Sequence, residues 1–221
     1  MSRHLSARCT AGIRIAALIF ATASLAGCGI LPKQETLALY DPTPQRSAAQ
    51  HAANPAWPQV GWQLQISRPY ADTMHDSARI LVRPLPGELQ VYKGAAWTQP
   101  APDIVLDTLV RAFADSGRLA GVARRGEGVS AQYELLLDLR RFESDYGTAA
   151  TPNARIELGA RLVHNADNRV VASRVFDTST PADGIAVVAI NRAFEEALTE
   201  TTTQLIGWTL SEGQQDSVRK H

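Results

Sequence analysis

The stretch Gln132-Tyr-Glu-Leu-Leu-Leu-Asp-Leu-Arg-Arg-Phe-Glu143 decides the fold class. In an extended chain Tyr133, Leu135, Leu137 and Leu139 share one face. Glu134, Asp138 and Arg140 share the other, with Leu136 and Phe142 among them. A period of two reads as a strand with one buried face. Gly147 to Asn153 breaks the pattern, and it resumes over 155–164, with Ile156, Leu158, Ala160 and Leu162 inward and Arg155, Glu157 and Arg161 outward. Asn165-Ala-Asp-Asn168 is a hairpin turn, and residues 169–177 read as the returning strand. The three strands between 132 and 177 form an antiparallel meander.

Downstream, a long helix runs from Asp183, which can cap it, to about Trp208, with Val187, Ile190, Phe194, Leu198 and Leu205 as its apolar stripe. Ser211 to His221 is polar and reads as a frayed tail. Upstream, a short strand over 119–123 and the turn Arg124–Gly128 precede the meander. Before them, Asp103 to Ser116 reads as a helix capped by Asp103, with Leu106, Leu109, Val110 and Phe113 at i, i+3, i+4 and i+7 and Gly117 as its left-handed stop. Residues 78–83 and 88–92 form a hairpin around Pro84-Leu-Pro-Gly87. Trp62 to Pro69 alternates as a strand ended by its proline. Asp41 to Pro58 carries Pro42, Pro44, Pro55 and Pro58 and reads as a loop, and Glu35 to Tyr40 reads as a first, edge strand. Helix stripes in this order have to lie on sheet faces. The expectation is a single α/β domain over 35–210 with a mixed, largely antiparallel sheet and two main helices.

The N-terminus has a different character. Arg3, Arg8 and Arg14 are unaccompanied by acids, Ile13 to Leu25 is apolar apart from Arg14, Thr22 and Ser24, and the run closes on Leu25-Ala-Gly-Cys28. The apolar run is short for a membrane span. These are the parts of a secretion signal, and Leu-Ala-Gly-Cys resembles the lipobox of bacterial lipoproteins. That resemblance implies removal of residues 1–27, with a diacylglycerol and an N-acyl chain on Cys28 and a lipidated tether over 28–34. Gly29, where inner-membrane retention usually follows an aspartate, favours the outer membrane and a domain on its periplasmic face. Loss of 1–27 would leave 194 of the 221 residues, with 19 Lys and Arg against 22 Asp and Glu, a net of −3. That balance argues against a nucleic-acid partner. Cys9 leaves with the signal and Cys28 is acylated, so the core has to hold without a disulfide.

Catalytic patterns are sparse. No Gly-x-Ser-x-Gly, phosphate-loop or His-Glu-x-x-His motif is present, and Gly126-Glu-Gly128 opens no helix. His51, His75, His164 and His221 show no triad or metal-ligand spacing. Glu195, Glu196 and Glu200 read as a solvated helix face. The sequence does not read as an enzyme, and neither a metal nor a cofactor beyond the lipid is expected. Tyr92 and Trp97, beside a Pro-rich run, are the candidate partner contacts, weighed against simple packing of Trp97 where the hairpin meets the helix.

The order Arg79-Ile-Leu-Val-Arg83, Leu89-Gln-Val-Tyr92, Ala95-Ala-Trp-Thr-Gln-Pro-Ala-Pro102 and the helix to Gly117 resembles the ABC-type transport auxiliary lipoproteins, the PqiC-like family. Tyr133–Glu143, Val170–Phe176 and the closing helix with Ala193-Phe194 and Trp208 are similar to that family's second half. The resemblance implies a three-layer α/β domain akin to anticodon-binding-like and TolB N-terminal domains. It also implies a non-enzymatic accessory of an MCE-type lipid-transport system with its ABC permease and ATPase, bridging the two membranes and open to homo-oligomerisation. The rival readings are a lipoprotein module assisting cell-wall synthesis or outer-membrane assembly, and a periplasmic hydrolase using His75 or His164.

Overall fold

β6 (Tyr133–Asp145), β7 (Asn153–His164) and β8 (Arg169–Pro181) pair antiparallel as the expected meander, with Leu139 opposite Leu158 and Leu158 opposite Phe176. The computed structural model describes residues 36–44 and 56–219. The signal segment, Cys28, the tether 28–34, most of the Pro-rich loop, His51 and His221 lie outside them. The second edge of β6 is shared. β2 (Gln63–Ile66) lies parallel to its beginning, Leu64 beside Tyr133, and β3 (Arg79–Arg83) lies parallel to its end, Leu81 beside Glu143. Between them the chain stays on β6: the Ser67 and Tyr70 amides donate to the Leu135 and Leu137 carbonyls, and the Leu139 amide donates to the Tyr70 carbonyl. β5 (Gly121–Arg124) extends β2, β4 (Gln90–Trp97) returns antiparallel beside β3, and β1 (Ala38–Tyr40) lies parallel on the edge of β4. The sheet is mixed, and the single α/β domain with two main helices is what the chain adopts.

Both helices share one hydrophobic cluster with the inward residues of the sheet. α1 (Ala101–Ser116) starts two residues before the expected Asp103, because Pro100 and Pro102 preset the backbone of its first turn. The Asp103 carboxylate is not a cap; it accepts from the Arg68 guanidinium at 2.6 Å. Gly117 ends the helix at φ 60° as expected. α2 (Val187–Arg219) starts four residues after Asp183 and runs eleven past Trp208. The polar stretch from Ser211 is therefore not a frayed tail. Asp216 is buried there, accepting from the Tyr133 hydroxyl at 3.0 Å and the Arg169 guanidinium at 2.7 Å, so tertiary anchoring overrides the polar composition.

Two glycines inside α2 seat tryptophans. A Cβ at Gly207 would stand 2.8 Å from Trp57 Nε1, and one at Gly213 only 2.5 Å from Trp62 Cζ2. Trp62 in turn meets Tyr133 edge-on at 4.8 Å. The helix gives up propensity at these positions to let indoles approach its backbone.

Glu143, on the face of β6 away from the helices, has no exposed surface. Arg83 grips both its oxygens, at 2.8 and 2.9 Å, and Arg141 lies 3.5 Å away. The loop Asp72–Ser77 closes over it with His75, whose Nδ1 meets Asp72 at 2.9 Å. His75 Nε2 stands 3.7 Å from Glu143 Oε2, beyond hydrogen-bond reach, so it acts on the carboxylate through charge. Burial alone would raise the Glu143 pKa, but His75 and Arg83 outweigh it and bring it to about 2. Burial opposes the charged form of His75 too, and the two carboxylates beside it still raise its pKa above 6.5.

Two outcomes follow from these contacts. Gly213→Ala removes a helix penalty of up to about 1 kcal/mol, yet it should lower stability by roughly 1–3 kcal/mol through overpacking against Trp62, seen as an earlier urea midpoint. The Glu143 contribution is full above its ordinary 4.5 and is lost as pH falls toward 2. The His75 contribution is full below 6.5 and is lost as pH rises through its raised folded value. Melting temperature should therefore decline on the alkaline side in the native chain, and His75→Gln should flatten that decline.

Candidate binding surface

The outward residues of the meander form a surface that the helices leave open. Cross-strand rows run Leu136, Arg161, Ser173 and, beside it, Asp138, Gly159, Val175. A bulge between Leu139 and Arg141 inserts Arg140 into the second row. Its guanidinium lies over Gly159, 3.3 Å from where a Cβ would stand, and it donates to Asp138 at 2.9 Å and Glu157 at 3.5 Å. Arg140 and Gly159 thus line a depression of about 620 Å3, bounded by Tyr70, Leu136, Asp138, Arg161 and Val175.

Composition suits recognition of a protein surface. Tyr70 is 73% exposed and Val175 48%, and Arg161 is exposed with no acidic partner among the described residues. Exposed Tyr and Arg around small apolar patches are the residue types that dominate interface energetics. Toward the strand ends the same face carries a charge ladder: Arg141 with Glu157 and Asp145, and Arg155 with Asp145 and Asp177. It ends at the covered Glu143.

Neither sequence-predicted contact residue lies on this surface. Trp97 is 1% exposed, edge-on to Phe142 at 5.7 Å and to Phe194 at 5.1 Å, so it fills the core where β4 hands over to α1. Tyr92 is half-buried, its hydroxyl 3.1 Å from Ser144 Oγ, and burial pushes its pKa to about 12. The outward placement of Arg161 is legible in the alternation. Tyr70 is not, since it belongs to no regular strand and meets β6 through an isolated bridge at Asp138. Leu136, an apolar residue in the outward set, is the one sequence signal for the depression.

His164 Nδ1 meets Asp167 at 2.8 Å and its ring stands edge-on to Tyr133, while His75 belongs to the Glu143 cluster. Among the described residues no group of three or more His, Cys, Asp or Glu is placed to hold a metal ion, and no helix is long and apolar enough to cross a membrane.

Comparison with known proteins places this geometry. Protein XCC0632 of Xanthomonas campestris, solved in a crystal, is 52% identical and superposes with a TM-score of 0.76 over 81% of this chain and 98% of its own. A second solved structure, of an uncharacterized protein, shares the fold at a TM-score of 0.58 with 11% identity, over 78% of this chain and 97% of the other. Protein bll6063 of Bradyrhizobium diazoefficiens is 31% identical over 158 residues, 71% of this chain; the chain spans about two fifths (41%) of that relative's length. Residues 42–206 match the family of ABC-type transport auxiliary lipoprotein components, and the chain belongs to that family.

Proposed function

We propose that this chain is an outer-membrane lipoprotein, acylated at Cys28, whose periplasmic domain serves as a non-enzymatic accessory of an MCE-type, ABC-driven lipid-transport system. The family match over 42–206 carries the reading. Leu25-Ala-Gly-Cys28 supports the anchor, and Gly29 supports the outer membrane. On this reading the lipid chains fix the domain at a bilayer, since two or three acyl chains make release negligible. The meander's open face, with Tyr70, Leu136 and Arg161, docks the transporter's periplasmic component. Tyr92, half-buried against the core, contributes little.

Cys28→Ser should abolish incorporation of labelled palmitate and move the protein out of the membrane fraction. Arg161→Glu, on an exposed side chain, should leave the melting temperature unchanged. It should weaken co-purification of the MCE protein from detergent-solubilised membranes by more than about tenfold, as a hot-spot charge reversal does. Recovery of the acylated protein free of any MCE protein would refute the transport assignment.

A further inference from the structure

Because β1 runs parallel to β4, the chain enters the domain on the side of the β3–β4 turn, residues 84–89. Four large aliphatic side chains stand in water along this entry: Leu37 57%, Leu39 61%, Leu85 59% and Val91 40% exposed. Their placement follows from the register. Leu39 lies beside Ala96, and Leu37 precedes it on the same face. On β4 the pairing with β3 jumps from Arg79–Ala96 to Leu81–Val91, and Gly94 takes φ 69° within the jump. That irregularity carries Val91 to the face of Ala96 and Leu39, while Tyr92, Ala95, Trp97 and Tyr40 pack with the core. Leu85 stands at the turn beyond Val91. Soluble edge strands are normally blunted by charge, and aliphatics gathered on an edge mark a contact surface.

We infer that this end of the domain rests on the phospholipid surface, with Leu37, Leu39, Leu85 and Val91 as the contact. The inference rests on acylation of Cys28 as proposed above. Ten residues lead from Cys28 to Ala38, a chain that can span at most about 35 Å. The acyl chains therefore hold the patch within molecular reach of the bilayer. Tethering over such a distance corresponds to an effective concentration in the millimolar range. The four aliphatic side chains are then presented to the lipid at that concentration. The occupant we infer is the bilayer and not a second copy, because the tether joins the domain at this edge.

The test uses the acylated mature chain in vesicles of phosphatidylethanolamine and phosphatidylglycerol. Its other native cysteine leaves with the signal, so a single new thiol can carry an environment-sensitive NBD label: Leu85→Cys, Leu39→Cys, or Glu127→Cys in the turn after β5. Labels at 85 and 39 should shift to the blue and lose most of their emission when doxyl-labelled lipid is included, while the label at 127 does neither. Labels at 85 and 39 that behave like the one at 127 overturn the inference. So does a blue shift that doxyl lipid leaves unquenched, since that is burial against protein. Protein that fails to float with the vesicles overturns the Cys28 anchor, and the inference with it. Floating protein with water-exposed labels overturns the inference alone.

Discussion

Glu143 cannot reach water, so its charge has to be answered inside the protein. Arg83 answers it with a two-pronged grip across 60 positions of sequence. Removing one partner of such a pair strands the other charge, at a cost of about 3–5 kcal/mol. The grip does more than offset that cost. It joins the last residue of β3 to the end of β6, where the strands are parallel and no hairpin turn can set their register. The loop that carries His75 closes over the pair, and its neighbours bind outward: Arg68 spans Asp76 and Asp103, tying that loop to the start of α1. One buried carboxylate thus coordinates a strand pairing, a loop and a helix terminus.

Much of this was legible in the residues. The meander appears where alternation is strongest, and the stop of α1 falls on Gly117 because only that residue is at ease at φ 60°. Local patterns also place the β3–β4 hairpin. What composition could not reveal is how β2 and β3 both come to lie on one edge of β6, since parallel pairing leaves no turn to read. Helix ends went astray for the same reason: α2 continues through polar residues because Asp216, Gly213 and Trp62 meet partners distant in sequence. Trp97 and Tyr92 were conspicuous as aromatics near prolines, yet one fills the core and the other is half hidden. Among the described residues the exposed aromatic is Tyr70, in a stretch without period. The proposed anchor is read from Leu25-Ala-Gly-Cys28 alone.

The two faces of the sheet do different work. The inner face is closed by α1 and α2 around Trp97, Phe142 and Phe194. On the outer face, one end is sealed over Glu143 and the other is left open around Gly159. Family membership accounts for the fold. The opening over Gly159, with arginine and tyrosine at its rim, is where the domain has side chains to spare for another molecule.

Sharing one edge of β6 between β2 and β3 also sets the order in which the chain can fold. β2 ends at Ile66 and β3 at Arg83, while their common partner begins at Tyr133. No residue of the first half can complete its sheet until the middle of the chain is present. The late arrival of the organising strand gives the topology a high contact order, which slows folding. Apolar β2 and β3 edges stay unpaired through that wait, the state in which chains aggregate. A chain delivered N-terminus first into a crowded compartment would thus spend its vulnerable interval holding half a sheet open, and protection during that interval is a demand its architecture makes on the cell.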